Sequence, residues 1–212
     1  MEGRILYFDR PGKANTEATL RAARRRAEEL GIRQVVVASS HGYTAREAKA
    51  IFADLDVNLI AVSICAAFDD EGWTMTAEER AGLEALGIKV LTCLHSLGDD
   101  VSDAFTRSAP NRIVRETLYR FGQGMKVAVE VALMAADAGL LDMTQEAIAI
   151  AGTDEGADTA IVIRPAYARK FRELEIREIL AKPRTAGCGH GGLPAGGRAG
   201  AVRGLGRCRP GS

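Results

Sequence analysis

The stretch Val35-Val36-Val37-Ala38-Ser39-Ser40-His41-Gly42-Tyr43-Thr44-Ala45 joins a β-branched apolar run to hydroxyl side chains and one glycine. The run predicts a buried strand, and the residues after Gly42 predict a helix. The N-terminus of such a helix presents unpaired backbone N–H groups and the positive end of its dipole, which together favour an anion. Ser39, Ser40 and Thr44 add hydroxyl donors, and Gly42 allows a positive φ and a close approach of the backbone. This junction therefore predicts an anion site.

The same residues also suit a second interpretation. Ser and Thr are ordinary helix caps, so Ser40 or Thr44 could simply cap the helix that follows. His41 lies inside the loop, where a protonated imidazole could contact a phosphate. The local pattern leaves both the anion site and the helix cap open.

The composition is that of a globular, non-membrane protein. Its 212 residues are 47% hydrophobic, which is enough for one core of ordinary domain size. No apolar run approaches the roughly 20 residues that a membrane-spanning helix needs, and the N-terminus leads into a strand instead of a signal-peptide core. We therefore expect a cytoplasmic protein that makes no membrane contact.

The charge is distributed unevenly along the chain. Four of its 28 basic side chains lie in residues 185–212, which contain no acid, so residues 1–184 carry 24 basic and 28 acidic groups, a net charge of −4. A domain with that charge lacks the electrostatic footprint of a nucleic-acid binder. The Gly/Arg-rich residues 185–212 hold almost no large apolar side chain and predict a disordered, dispensable tail. The predicted organisation is thus one domain over 1–184 and a tail.

The four cysteines predict neither a metal site nor a redox motif. No Cys-x-x-Cys pair occurs, and Cys65 and Cys93 lie in apolar runs typical of core positions. Cys188 and His190 stand close together in the tail, but their spacing in a Gly-rich segment is weak evidence for a metal.

Apolar strand-like runs alternate with amphipathic helices that end at glycine, a pattern typical of an α/β fold with a mostly parallel sheet covered on both faces. The predicted strands are 4–8, 35–38, 58–64, 88–93, 147–151, 159–164 and 174–181. The predicted helices are 16–30, 44–52, 76–86, 101–105, 111–121 and 125–138, of which the last is apolar nearly all round and should be buried.

A second glycine loop, Gly152-Thr153-Asp154-Glu155-Gly156-Ala157-Asp158, connects two predicted strands that are too close in sequence for a parallel crossover. In an open α/β sheet, ligands bind outside the carboxyl ends of the strands. Gly152, Thr153, Gly156 and Asp158 could therefore line the same crevice as the Ser39–Thr44 loop. Glycine-rich connections are also common as plain turns.

A third candidate is Phe121-Gly122-Gln123-Gly124-Met125-Lys126, where Gly122 and Gly124 precede a helix that could again present free N–H groups. It differs from the dinucleotide fingerprint, which follows a strand and has a third glycine. Lys126 and Glu130 are four residues apart on one helix face. They suit a structural ion pair, or else a catalytic pair.

Several long motifs in order make the chain resemble, over about residues 4–184, stand-alone proteins related to the C-terminal α/β domain of pyruvate kinase. The motifs are 11–16, 38–45, 121–127, 134–140, 152–160 and 179–183. The resemblance implies a three-layer α/β/α sandwich around a mixed sheet of about five strands, one of them antiparallel.

The resemblance also implies a function. The loop similar to Ser39–Thr44 cradles a phosphate of an effector in pyruvate kinase, so Ser39, Ser40, Gly42 and Thr44 would hold a phosphate here. The implied ligand is a phosphorylated small molecule, with flavin mononucleotide (FMN) as the first candidate cofactor and a sugar phosphate as the second. Kinase activity is not implied, because pyruvate kinase catalyses its reaction in a separate β/α barrel of roughly 250 residues.

Two alternatives stay open beside a binding module. One is an enzyme that uses Lys126 with Glu130, or His41 with Asp158, for acid–base work on a bound flavin or sugar phosphate. The other is a protein that assembles into a homo-oligomer through the apolar helix 125–139.

Overall fold

A computed structural model describes residues 3–98 and 110–185 of the chain. The predicted helix at 101–105 and residues 186–212 of the predicted tail lie outside the described residues. The strands are β1 (Leu6–Phe8), β2 (Gln34–Ala38), β3 (Asn58–Ser63), β4 (Lys89–Thr92), β5 (Ala147–Ala151), β6 (Thr159–Arg164) and β7 (Glu175–Pro183). The helices are α1 (Thr16–Leu30), α2 (Tyr43–Ile51), α3 (Ala77–Glu84), α4 (Pro110–Tyr119) and α5 (Gln123–Asp137), with short 3-10 turns at Lys13–Asn15, Ala66–Glu71 and Ala168–Glu173.

All seven strands form one sheet in the order β1-β7-β6-β5-β2-β3-β4. Every strand runs in the same direction except β6, which is antiparallel to both β5 and β7. The short link between β5 and β6 thus makes an antiparallel pair, as its length predicts.

The sheet is covered on both faces, which confirms the three-layer α/β/α sandwich. Alternate residues of a strand point to opposite faces. Val35 and Val37 of β2 pack in one apolar cluster with α1, α2 and α3, whereas Val36 packs in the other with α4 and α5. The middle strands are buried on both sides, as their unbroken apolar runs indicate.

The sheet has seven strands, not the five or so that the resemblance implies. The two additional strands, β1 and β7, lie together at one end of the sheet, where β7 pairs with β6 and β1 pairs with β7. Both coincide with segments whose own apolar pattern predicts a strand.

Helix α5 is central, as its composition predicts. Twelve of its fifteen residues are buried, including the charged Lys126 and Glu130. All of its apolar side chains except the half-buried Val127 are covered within the chain, which counts against assembly of a homo-oligomer through residues 125–139. No helix in the described ranges combines the length and the apolarity that crossing a bilayer requires.

Candidate functional site

Three loops meet at the carboxyl edge of the parallel strands. Residues 39–42 follow β2, residues 152–158 follow β5, and residues 9–15 follow β1. Since these three strands run in the same direction, their ends lie at one edge of the sheet. The structure therefore brings the Ser39–Thr44 loop and the Gly152–Asp158 loop to the same edge, and adds a third segment, Asp9–Asn15.

The Ser39–Thr44 loop turns sharply into α2 at Gly42. Gly42 has φ 87°, in the left-handed region that glycine adopts without strain. A Cβ at this residue would lie 3.3 Å from the Leu83 side chain of α3, so the loop rests directly on that helix. The expected positive φ is present.

The helix-cap interpretation applies to Ser39 alone. The residue before α2 is Gly42, which offers no side-chain cap. The Ser39 hydroxyl accepts a hydrogen bond from the Ala45 backbone N–H at 3.3 Å, while the Ser39 N–H donates to the Val62 carbonyl in β3 at 2.9 Å. Ser40 and Thr44, the two caps expected from the sequence, do not cap the helix.

Unused donors remain at the start of α2. Within the described part of the chain, the backbone N–H groups of Tyr43 and Thr44 have no acceptor, and the hydroxyls of Ser40 and Thr44 make no hydrogen bond. Ser40 is exposed and Thr44 is buried. These N–H groups carry the positive end of the helix dipole, so the first turn of α2 can accommodate an anion.

His41 is directed toward α3. Its Nδ1 lies 3.2 Å from the Glu79 Oε2. Glu79 also accepts from the Thr76 N–H in a capping box, and that backbone hydrogen bond, followed by the bond to His41, lowers the pKa of Glu79. The structure thus pairs His41 with Glu79, whereas the acid–base alternative pairs it with Asp158.

Asp158 ties the carboxyl-edge segments together. It is fully buried, and its Oδ2 accepts from the backbone N–H groups of Gly12 at 2.9 Å and Thr153 at 3.1 Å. Its Oδ1 accepts from the Thr159 hydroxyl at 2.8 Å. Because both oxygens are occupied, this carboxylate positions the segment after β1 against the Gly152–Asp158 loop.

The glycines of the second loop permit close packing of backbone on backbone. A Cβ at Gly152 would lie 2.5 Å from the Gly156 carbonyl oxygen, and one at Gly156 would lie 2.8 Å from the Lys13 Cα. The Ala157 N–H donates to the Thr16 hydroxyl at 3.0 Å. The loop is therefore held tightly against the start of α1.

The third glycine segment forms the start of α5. Gly122 precedes the helix with φ 122°, and a Cβ at Gly124 would lie 2.7 Å from the Thr159 Cβ and 2.8 Å from the Asp158 Oδ1. Gly124 thus allows α5 to begin directly against the residues that anchor the second loop.

Lys126 and Glu130 form a closed, buried ion pair. The Lys126 Nζ lies 2.5 Å from one Glu130 oxygen, and the other oxygen accepts from the Leu97 N–H at 3.0 Å. The Tyr119 ring lies 5.9 Å from the same Nζ, and burial raises the pKa of Tyr119. The pair fastens the segment after β4 to α5. Of the two alternatives that the sequence left open, this arrangement is the structural ion pair.

Lys13, which the sequence patterns did not single out, stands between the two loops. Its Nζ lies 3.1 Å from the Glu155 Oε2 and 4.4 Å from the centre of the Tyr43 ring. The available signal was its position: Pro11-Gly12-Lys13 follows the first strand, and the carboxyl-edge rule applies to that loop as well.

Two cavities lie away from this edge. One of about 660 Å³ is lined by Gln34, Asn58, Glu146 and Arg177 among others, at the amino ends of β2, β3 and β5. One of about 130 Å³ lies beside Arg164 and Tyr167. Neither is lined by Lys126, Glu130 or the two loops. In residues 3–98 and 110–185, no three His, Cys, Asp or Glu side chains are grouped to share a metal ion.

The chain is similar to pyruvate kinases over part of their length. Solved pyruvate kinases from Cryptosporidium parvum, one of them in complex with ADP, match with 14–16% sequence identity and TM-scores of 0.34–0.37. The matches cover 66–74% of this chain and 21–24% of theirs, so it spans about a quarter of their length. The model of the pyruvate kinase alpha/beta domain matches residues 17–163. This chain therefore belongs to the pyruvate kinase alpha/beta-domain family.

Proposed function

We propose that this protein binds a phosphorylated small molecule, FMN or a sugar phosphate, at the Ser39–Thr44 loop, as a binding or regulatory module without kinase activity. The observation that carries the proposal is the start of α2. Gly42 turns the chain there with no side chain of its own, and among the described residues nothing accepts from the Tyr43 and Thr44 N–H groups, which are therefore available to phosphate oxygens. The hydroxyls of Ser40 and Thr44 supply two further donors.

The predicted residues of the Gly152–Asp158 loop lie beside the Ser39–Thr44 loop. Gly152, Thr153, Gly156 and Asp158 hold the second loop at the same edge of the sheet, where a ligand anchored on α2 would extend. The acid–base alternative finds less support, since Lys126 and Glu130 are both buried and neutralise each other. Binding is accordingly favoured over catalysis.

An absorption spectrum of the freshly purified protein is the first test, because bound flavin is yellow. Titration with FMN, a hexose bisphosphate and inorganic phosphate then measures affinity. Ser40→Ala and Thr44→Val each remove a hydroxyl, and each should weaken binding about tenfold or more, since a hydrogen bond to a charged group contributes about 1.5–3 kcal/mol.

Thr117→Ala is the matched control. The Thr117 hydroxyl donates to the Ile113 carbonyl on the exposed side of α4, so its loss should leave affinity unchanged. The proposal fails if none of the three ligands binds the wild-type protein. It also fails if the Ser40→Ala/Thr44→Val double variant binds as tightly as the wild type.

A further inference from the structure

We propose that the Lys13 ammonium contacts the bound phosphate directly. In the free protein, the Glu155 carboxylate holds this ammonium and so competes with the phosphate for it. This inference rests on the proposed function and adds a regulated cation to the same site. In the structure the Lys13 ammonium lies 3.1 Å from the Glu155 carboxylate and 4.4 Å from the centre of the Tyr43 ring. Tyr43 is the first residue of α2, so Lys13 already reaches the helix turn that holds the free N–H groups.

The backbone of Lys13 is fixed while its side chain reaches solvent. Its carbonyl accepts from the Thr16 hydroxyl at 2.7 Å, and the neighbouring Gly12 N–H donates to Asp158. The Gly156 backbone packs on its Cα. The side chain, in contrast, is 50% exposed. A fixed Cα with a half-exposed side chain lets the ammonium change partner without rearranging the loops.

The Lys13–Glu155 pair is of the kind that exchanges readily. The Glu155 side chain is 74% exposed, and water screens an exposed ion pair so that it contributes little to stability. A phosphate at the start of α2 would offer two negative charges and would also accept from the N–H groups that Glu155 does not reach. The phosphate therefore outcompetes the carboxylate for Lys13.

A second observation is one polar atom of the Gly152–Asp158 loop. The hydroxyl oxygen of Thr153, two residues before Glu155, is buried, and nothing in the described part of the chain hydrogen-bonds to it. Buried polar atoms without a partner are rare in folded proteins. A ligand bound between the two loops would bring oxygens close to this segment.

The test measures the affinity of FMN and of inorganic phosphate for four proteins: wild type, Lys13→Met, Glu155→Gln and the double variant. Lys13→Met should weaken binding about tenfold or more, because a charge-assisted contact is lost. Glu155→Gln should tighten binding about two- to fivefold, because the competing ion pair is lost. In the Lys13→Met background, Glu155→Gln should have no further effect, since its influence acts through Lys13.

Lys170 and Glu173 provide the matched control. They form an exposed pair at 3.7 Å in the 3-10 turn after β6, at the opposite edge of the sheet. Lys170→Met and Glu173→Gln change the net charge equally and should leave both affinities unchanged.

The outcomes of this test distinguish the inference about Lys13 from the proposed function. If the wild type binds neither probe and no hexose bisphosphate, the proposed function and this inference fall together. If it binds the hexose bisphosphate alone, the same four proteins are compared with that ligand. If the wild type binds and Lys13→Met binds equally well, the inference alone is overturned. Equal tightening by Glu155→Gln in both backgrounds would likewise overturn the exchange, because the carboxylate would then repel the phosphate independently of Lys13.

Discussion

Gly124, the second residue of α5, has no room for a methyl group. A Cβ there would lie 2.7 Å from the Thr159 Cβ and 2.8 Å from the Asp158 Oδ1, and both of these residues are fully buried. Gly124→Ala must therefore displace Thr159, which donates its hydroxyl to Asp158. The substitution tests directly whether α5 begins against the anchor of the second glycine loop.

The expected cost follows from three contributions. Forcing a methyl group into a packed interior costs about 1–3 kcal/mol, and losing the hydrogen bond to a carboxylate costs about 1.5–3 kcal/mol. The higher helix propensity of alanine returns at most about 1 kcal/mol. Gly124→Ala should thus lower the free energy of unfolding by at least about 1.5 kcal/mol.

Gly82→Ala in α3 is the matched control. Its Cβ would meet only the tip of the Arg46 side chain, with Nη2 at 2.8 Å, and that tip can swing away. This variant should gain about 0.5–1 kcal/mol from helix propensity. Urea unfolding followed by circular dichroism measures both. A Gly124→Ala protein as stable as wild type, or stabilised like Gly82→Ala, would refute the packing of α5 on Thr159.

Three further predictions address the charged groups. Asp158→Ala leaves buried donors unpaired and should lower the free energy of unfolding, measured in urea, by about 3 kcal/mol or more. Asp158→Asn can still accept from the N–H groups, so it should lower this free energy less and should retain ligand affinity. Lys126→Met alone leaves the Glu130 carboxylate buried without its partner and should lower the free energy of unfolding by about 3–5 kcal/mol. Adding Glu130→Gln should recover much of this loss. An unaltered urea midpoint for Lys126→Met would contradict a closed pair. The pKa of Glu79 is held below its ordinary 4.5, chiefly by the Thr76 N–H, so Glu79 stabilises the fold above about pH 4.5 and this contribution is lost as pH falls through its lowered pKa. Unfolding at pH 7 and pH 3 should therefore show a smaller acid loss for Glu79→Gln than for wild type, and equal losses would show that Glu79 plays no such part.

The fold was largely predictable because its signals are local. Unbroken apolar runs marked the buried strands, and the short link after β5 required β6 to be antiparallel. The strand count implied by the resemblance fell short for a traceable reason. The matched family range, residues 17–163, contains β2 to β5 and nearly all of β6, while β1 and β7 lie outside it.

The site was predictable only in its local parts. The turn at Gly42 and the free first turn of α2 follow from residues that are neighbours in sequence. The contacts of Asp158 with Gly12 and of Lys13 with Glu155 join residues more than 140 positions apart, and no local pattern records such a pairing. For the same reason the sequence predicted that Asp158 lines a ligand, although its oxygens accept hydrogen bonds from the chain's own N–H and O–H groups.

The bond between the Gly12 N–H and Asp158 also bears on the order in which the chain folds. Closing so long a loop costs more conformational entropy than forming local turns, so we expect this contact to form after them. The stretch around Ser39 can turn into α2 early, but it stands opposite its partner loop only after residues 152–158 have docked on the segment that follows β1. During synthesis, we expect the beginning of the chain to dock only after its far end has been made, so the proposed anion site should be among the last parts of the fold to be completed.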